Sequence, residues 1–211
     1  MADTQTLEEL EARRQTYAFL ASLYMDAMGA EFLANLKAAQ PEVEGLFGQF
    51  VAQLAEGDLE QIRIDTAAEY NALLLNMSRS PVFPYESVYT SELHLMRQDA
   101  YEQVKAFMGR LGLAASEKVN LPEDHIGIEL EFMGRLVARE VDALVMGDDA
   151  ARAEARDMQR EFLRDHLLVW APQFCADLAA KAKSFAYRGL AEMTEDFLAF
   201  EAEDFGLDLP E

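Results

Sequence analysis

Two short groups of polar and aromatic residues stand out in this chain as candidates for chemistry. Tyr85, Glu86 and Tyr89 place two aromatic rings beside a carboxylate, and Asp124 directly precedes His125. A carboxylate accepts a guanidinium group in a paired, charge-assisted geometry, and an aromatic face binds cations and apolar side chains. These residue types predict a surface that binds a peptide that is both cationic and apolar.

Each group also has an ordinary structural interpretation. Acidic residues in the first turn after Pro122 complement a helix dipole, and His125 is then a surface residue. In the earlier group, the two tyrosines then anchor a loop and Glu86 opens the next helix. Whether Asp124 binds a peptide or only complements the helix dipole, it is expected to be exposed at a helix start. Its truncation is then expected to cost only about 0.3 to 1 kcal/mol of stability.

An enzyme or a metal protein has little support in the sequence. There is no Glu-x-x-His pair, no His-Glu-x-x-His motif and no phosphate-binding glycine loop, and His94, His125 and His166 are widely separated. A site made only of carboxylates could lie among the 39 acidic residues, but no spacing marks one. We therefore predict no catalytic residues, no metal and no cofactor, and we assign no cofactor-binding residues.

The composition indicates one helical domain. The 211 residues are 51% hydrophobic and 27% charged, which is an ordinary globular balance and is sufficient for one buried core. Helix-forming residue types are plentiful and strand-like alternation is nearly absent. The single cysteine, Cys175, cannot form an internal disulfide, which fits a reducing compartment.

The formal net charge of −21 argues against a nucleic-acid partner, because phosphate binding needs clustered lysines and arginines. A basic partner is favoured instead, although acidic proteins are often acidic simply for solubility. The pair Arg13-Arg14 looks like part of a twin-arginine export signal, but acidic residues precede it and Asp26 interrupts the apolar stretch. The apolar runs are also too short to span a bilayer, so we expect a cytoplasmic protein without membrane insertion.

Helical periodicity recurs along the chain and predicts a single all-α domain of about nine helices over residues 1 to 211. Asp58 is a predicted N-cap and Gly147 a predicted helix end. The acidic tail, 202 to 211, is expected to fray. The predicted helices after the first lie near 31 to 39, 42 to 55, 58 to 77, 91 to 111 and 122 to 146, with a further one up to Pro172 and two beyond it.

Two loops interrupt this pattern. Residues 78 to 90 contain Pro81 and Pro84 together with aromatic residues, which is an unusual composition for a simple connector. Residues 112 to 121 form a second loop and a candidate hinge. Upstream of the first loop, an apolar stripe predicts core residues and could also line a groove with one edge. It contains Tyr70, Leu73 and Leu74. Phe162, His166 and Trp170 share a helix and are expected to pack in the core.

Three segments in series resemble the TorD/DmsD/NarJ family of chaperones for molybdenum-containing redox enzymes. The similarity covers roughly residues 10 to 200. The segments are Pro84-Tyr85-Glu86-Ser87-Val88-Tyr89, then Pro122-x-Asp124-His125 leading to Glu129-Leu130-Glu131-Phe132, and finally Phe162-x-x-x-His166-Leu167-x-x-Trp170.

The resemblance implies a cytoplasmic chaperone that binds the twin-arginine signal peptide of an apo-molybdoenzyme of the dimethyl sulfoxide reductase type and holds the enzyme for cofactor insertion before export. It also implies a peptide-binding region at Tyr85, Glu86, Tyr89, Asp124 and His125, to which we add the groove candidates named above. Family members occur as monomers or as dimers that exchange helical segments, and a guanine-nucleotide role ascribed to the family maps onto no residue here.

Two alternatives remain open. The first is an acidic helical adaptor for the catalytic subunit of a non-exported molybdoenzyme of the nitrate reductase type. The second is an enzyme with an undetected carboxylate site. Dependence on the signal peptide separates the chaperone from the adaptor, because only the chaperone should lose its client when the leader is deleted.

Overall fold

A computed structural model describes residues 4 to 115 and 121 to 209, and in this part of the chain the fold is all-α, as predicted. A π-helical turn, Leu163–Leu167, joins two helices without a break, so that the helices number nine when that continuous segment is counted once. The α-helices are α1 (Thr4–Met25), α2 (Ala30–Ala39), α3 (Gly45–Glu56), α4 (Leu59–Leu73), α5 (Glu86–Thr90), α6 (Asp99–Gly109), α7 (Ile126–Met146), α8 (Asp149–Phe162), α9 (Leu168–Lys181) and α10 (Phe185–Phe205).

The described chain divides into two compact units. The first contains the residues up to Met25, those from Tyr85 to Trp170 and those from Ala202 onward, and the second contains Asp26–Pro84 and Ala171–Glu201. Organisation as one domain therefore stays a prediction. None of the helices in the described ranges is long and apolar enough to cross a membrane.

Helix α7 forms the centre of the first unit. It packs against α1 and α8. Two glycines allow α1 to approach closely: a Cβ atom on Gly127 would lie 2.7 Å from Met25 Cγ, and one on Gly134 would lie 3.3 Å from Tyr17 Cβ. The presence of Gly127 in the first turn of α7, which local helix propensity disfavours, therefore has a packing reason.

Aromatic rings fill the core beside α7. The rings of Phe107, Phe132 and Phe162 meet edge to face, with centroids 4.8 to 5.9 Å apart. His166 packs against Phe107 and Phe162. Trp170 is fully buried, so the predicted core role of this helical segment is confirmed.

The second unit is built on α2, which packs against α3 and α4. A Cβ on Gly189 of α10 would lie 2.3 Å from the Phe47 backbone nitrogen, so glycine permits close packing of α10 on α3. The backbone N–H of Leu46 donates a hydrogen bond of 2.6 Å to the Glu192 carboxylate, which thereby satisfies a donor at the start of α3.

Several predicted boundaries are confirmed at their caps. Asp58 accepts a hydrogen bond from the Gln61 N–H at the start of α4, and Gly147 is left-handed at the end of α7. Gly112 also has a positive φ, although α6 already ends at Gly109. The second predicted loop, 112 to 121, is described only in part, because residues 116 to 120 lie outside the described residues.

Other boundaries were wrong. The predicted helix 91 to 111 is confirmed only as α6, because residues 91 to 98 are irregular and two of them, His94 and Arg97, are left-handed. The predicted loop 78 to 90 contains a short helix, α5, in its last five residues. Helix α7 begins at Ile126 instead of Pro122, and α4 ends at Leu73 instead of residue 77.

Pro172 lies inside α9, although a helix end was predicted there. Phe174, Cys175 and Leu178 beyond it are fully buried. Burial of this apolar face outweighs the one backbone hydrogen bond that proline lacks.

The expectation that the chain frays from residue 202 is also wrong for residues 202 to 205, which lie in α10. Helix α10 continues to Phe205, whose buried ring lies 5.4 Å from the Arg13 guanidinium and 4.5 Å from that of Arg156. These cation–π contacts hold the end of the helix in place.

Candidate functional site

The first two resemblance segments meet in the first unit. Tyr85 and His125 form an isolated antiparallel β-bridge, and the Glu86 N–H donates a hydrogen bond of 2.9 Å to the Asp124 carbonyl. The start of α5 is therefore joined to the residues just before α7. Five predicted site residues, Tyr85, Glu86, Tyr89, Asp124 and His125, belong to this part of the first unit.

Asp124 is buried, with 0% of its surface exposed, so the expectation of an exposed carboxylate at a helix start was wrong. Its Oδ2 accepts a 3.1 Å hydrogen bond from the Ser87 N–H and a short one from the Ser87 hydroxyl. Its Oδ1 is buried without a partner. Burial raises the pKa of Asp124, while the Ser87 hydrogen bonds oppose that rise.

His125 is likewise buried, at 3% exposure, and not a surface residue. It is the N-cap of α7, where its Nδ1 accepts a 3.0 Å hydrogen bond from the Gly127 N–H. Burial lowers the pKa of His125 to about 3. The imidazole is therefore neutral near pH 7, and its ring packs edge to face against Tyr85 with centroids 5.3 Å apart.

Two further buried carboxyl groups lie in this region. Glu86 approaches His166, with 3.1 Å between Oε2 and Nδ1, and Glu129 Oε2 accepts a 3.1 Å hydrogen bond from the Trp170 indole N–H. Burial, followed by the charge of Glu86, raises the pKa of Glu129 well above its usual range. Glu129 therefore keeps a proton at pH values where exposed glutamates have lost theirs.

We call Glu86, Asp124 and Glu129 the buried carboxyl cluster. Its members connect distant elements: Asp124 accepts from Ser87 of α5, Glu86 meets His166 of the π-helical turn, and Glu129 accepts from Trp170 of α9. No metal site with three or more histidine, cysteine or acidic ligands occurs among residues 4 to 115 and 121 to 209. Since all three carboxyl groups are buried, the cluster can position surface residues but offers no open carboxylate to a partner.

Tyr85 and Tyr89 are the members of this group that reach the surface, since both are half-buried. Burial and the nearby Asp124 carboxylate raise the pKa of Tyr85, so its phenol stays protonated. The Tyr89 ring packs on Trp170 with centroids 5.5 Å apart. Both rings are thus held by buried neighbours while part of each remains available.

Sequence reasoning missed the surface beside these rings. Residues 91 to 98, which we call the apolar loop, expose three large apolar side chains, with Leu93 at 68%, Leu95 at 55% and Met96 at 40%. The Ser87 hydroxyl accepts a 3.1 Å hydrogen bond from the Gln98 N–H, and His94 Nδ1 lies 2.8 Å from the Val88 carbonyl. The loop is therefore fastened to α5 by both residues.

Sequence reasoning also left Ser87, Glu129 and His166 out of the predicted site. Each stands in one of the resemblance segments, and His166 lies four residues before Trp170, so a signal was present in the order of these residues. Their burial and pairing depend on contacts between distant parts of the chain. The Ser87–Asp124 and Glu86–His166 pairs are separated by 37 and 80 residues.

The remaining predicted residues, Tyr70, Leu73 and Leu74, belong to the second unit and are buried there, as core residues should be. The Tyr70 ring packs against Tyr187 at a centroid distance of 6.3 Å. Leu73 also lines a cavity of about 840 Å³. Other lining residues of this cavity include Asp65, Glu69, Arg79, Lys181, Lys183 and Phe185.

Comparison with known proteins identifies the family. Residues 36 to 176 match the model of the nitrate reductase delta subunit family. The chain is 29% identical over 143 residues to the chaperone protein TorD of Photobacterium profundum, covering 68% of this chain and 65% of that relative. It is 27% identical over 176 residues to the chaperone protein TorD of Vibrio cholerae strain N16961, covering 78% of each.

The fold also matches a solved structure. A crystal structure of an Archaeoglobus fulgidus protein that has been assigned to redox enzyme maturation superimposes with a TM-score of 0.52 at 18% identity, covering 89% of this chain and 93% of that one. This likeness concerns the fold alone. The relatives are named as chaperones, which agrees with the prediction that the chain is not an enzyme. The chain thus belongs to the nitrate reductase delta subunit family, and the relatives that it matches over most of its length are TorD chaperones.

Proposed function

We propose that this protein is a cytoplasmic chaperone that binds the twin-arginine signal peptide of an apo-molybdoenzyme of the dimethyl sulfoxide reductase type. It holds that enzyme for cofactor insertion before export. The observation that carries the proposal is the bridge between Tyr85 and His125, which brings two family segments together beside half-buried aromatic rings and an exposed apolar loop.

The chemistry of the leader supports this assignment. A twin-arginine leader has a basic head followed by an apolar body. The chain carries a net charge of −21, which attracts the basic head over distances comparable to the Debye length. The apolar loop and the tyrosine rings both belong to the first unit. Together they provide the apolar and aromatic surface that the body of a leader requires.

The site residues divide into two roles in this proposal. Tyr85 and Tyr89 contact the leader, because both rings are partly exposed. Glu86, Asp124 and His125 act from beneath the surface as positioning residues, because all three are buried. Their contribution to binding is the placement of α5 and of the residues that follow it.

In the second unit, Leu73 is the member of its group with access to open space, since it lines the cavity together with Asp65 and Glu69. We include this cavity wall as a separate contact for the client. Tyr70 and Leu74 support it from the core, where both are buried.

The test uses one molybdoenzyme in two forms, with and without its leader. The purified chaperone is immobilised and each apo-enzyme is passed over it under identical conditions. Retention of the leader-bearing form alone is expected. Equal retention of both forms would contradict leader recognition and would instead indicate an adaptor for the mature subunit.

A matched control separates a specific leader effect from simple charge attraction. A third form carries the leader with its two arginines replaced by alanine and its apolar body intact. We expect intermediate retention, because the apolar contacts persist while the attraction of the basic head is lost.

A further inference from the structure

The apolar loop, residues 91 to 98, exposes large apolar side chains on irregular backbone. Leu93, Leu95 and Met96 are adjacent or nearly adjacent in sequence and all three are exposed. A cluster of large exposed apolar side chains of this kind commonly marks an interaction surface. Exposure of this much apolar area to water is unfavourable, so it needs a reason.

The loop is built into the fold and is not a loose connector. Gln98 is fastened to the Ser87 hydroxyl, and that hydroxyl in turn donates to the buried Asp124 carboxylate. On the other side, His94 lies against the Val88 carbonyl. The conformation includes two left-handed non-glycine residues, His94 at φ 51° and Arg97 at φ 58°. Such residues persist where the surrounding contacts impose the conformation.

Charge near the loop selects the kind of partner. Glu92 within the loop and Asp99 and Glu102 just after it are all exposed. Arg97 and Lys105 are exposed as well, and each lies close to the face of the Tyr101 ring, so carboxylates outnumber cations by three to two around the loop. Exposed carboxylates next to apolar side chains fit a segment in which positive charge and an apolar run are adjacent.

We propose that the apolar loop binds the apolar body of the client's leader, with Leu93, Leu95 and Met96 as the contact residues and Ser87 and Asp124 as the residues that position the loop. This inference rests on the proposed function, since it names the part of the leader that is bound. It assigns leader specificity to residues outside the family segments that the resemblance marks.

The experiment titrates a fluorescently labelled leader peptide with the full chain and follows anisotropy. The variant replaces all three contact residues: Leu93→Ser, Leu95→Ser and Met96→Ser. The matched control is Val145→Ser with Met146→Ser, because those apolar side chains of the same unit are 65% and 81% exposed at the other end of α7. We expect the loop variant to lose about ten-fold or more in affinity and the control to bind like the wild type.

A second leader turns this comparison into a double-mutant cycle. In that leader the apolar body is replaced by serine and glycine while both arginines are kept. If the loop contacts the body, the loop variant should lose little further affinity with the altered leader, so the two changes are not additive. Fully additive losses would overturn the proposal, as would an unchanged affinity of the loop variant for the normal leader.

Two controls keep the outcomes distinct. Circular dichroism melting should show the loop variant as stable as the wild type, because the replaced side chains are exposed. Failure of the wild type to bind any leader would refute the proposed function, whereas wild-type binding that the loop variant retains would refute only this inference. A change in oligomeric state, measured by sedimentation, without a change in leader affinity would assign the loop to contacts between copies and would likewise refute it.

Discussion

Helix α7 carries two buried glutamates about three turns apart whose surroundings are opposite in charge. Glu140 faces three arginines, with N–O distances of 3.8 Å to Arg13, 3.4 Å to Arg152 and 4.0 Å to Arg156. Glu129 instead lies near other carboxyl groups and accepts from an indole N–H. The same residue type, equally buried on one helix, thus serves as the counter-ion of a cationic network in one place and as a proton-holding group in the other.

The comparison indicates how the first unit divides its work. The Glu140 network connects α1, α7 and α8, and Gln159 adds a 2.9 Å hydrogen bond to the carboxylate. It is a stabilising element. The buried carboxyl cluster lies under α5 and the apolar loop, where burial of acidic groups costs stability but fixes the residues proposed to meet the client.

The largest effect on stability is expected for a substitution of Glu140. Glu140→Gln removes the negative charge that Arg13, Arg152 and Arg156 share, and its amide N–H groups would face other donors. Because Arg13 is nearly buried, its charge cannot turn fully to water. We expect a loss of about 3 to 5 kcal/mol in the free energy of unfolding at pH 7, measured by urea denaturation. A loss below about 1 kcal/mol would show that water replaces the interactions between Glu140 and the arginines at little cost.

Asp124→Ala should be the next most damaging change. It leaves the buried Ser87 N–H and hydroxyl without their acceptor, so we expect a loss of about 2 to 4 kcal/mol. This exceeds the 0.3 to 1 kcal/mol expected of an exposed helix-start carboxylate. Urea denaturation of Asp124→Ala beside the exposed control Asp149→Ala measures the difference. Equal losses in the two variants would contradict the positioning role.

Because His125 is buried and neutral, we expect the stability of the fold to decrease in acid. Its pKa is about 3 in the folded state and about 6.5 in the unfolded chain, so the unfolded chain binds the extra proton between those values. Stability should therefore be complete above about pH 6.5 and fall by about 2 kcal/mol as the pH drops to about 5. His125→Asn keeps an N-cap acceptor without this titration and should lack that part of the fall. Parallel curves for both proteins would rule out a neutral, buried His125.

Glu129→Gln should have the smallest effect near neutral pH, in contrast to the same change at Glu140. Because the pKa of Glu129 is raised in the folded state, the folded chain binds the extra proton. The contribution of Glu129 to the free energy of unfolding is therefore complete below about pH 4.3, the pKa of an unfolded glutamate. This contribution is lost as the pH rises through the pKa of Glu129 in the folded state. The variant should match the wild type in acid and become the more stable of the two as the pH rises. Urea denaturation across that range checks the sign, and a variant that becomes relatively less stable with rising pH would contradict the assignment.

Local sequence signals predicted the parts of the fold that depend on neighbouring residues. Asp58 and Gly147 act within one turn of their own helix ends, so their roles were predictable. Pro172 was misjudged because local propensity disfavours it while burial of the residues beyond it favours the helix. Two of the family segments meet at the Tyr85–His125 bridge in the first unit, and a binding role for this region stays a prediction.

The depth of the site could not be predicted in the same way. Asp124 follows a proline at an apparent helix start, a position that is usually exposed, and it is buried because Ser87 supplies two donors from 37 residues away. The apolar loop was hidden by an apparent continuation of helix through Leu93 and Met96. A single sequence does not contain these long-range pairings, and they decide which side chains a partner can reach.

The most direct test of leader recognition is calorimetric titration of the wild-type chain with a twin-arginine leader peptide at low and high salt. We expect a dissociation constant in the micromolar range, about −8 kcal/mol, at an ionic strength of about 0.05 M. The affinity should weaken several-fold at about 0.5 M, because the basic head is attracted by a chain of net charge −21. Absence of binding at the lower ionic strength would contradict the export-chaperone function.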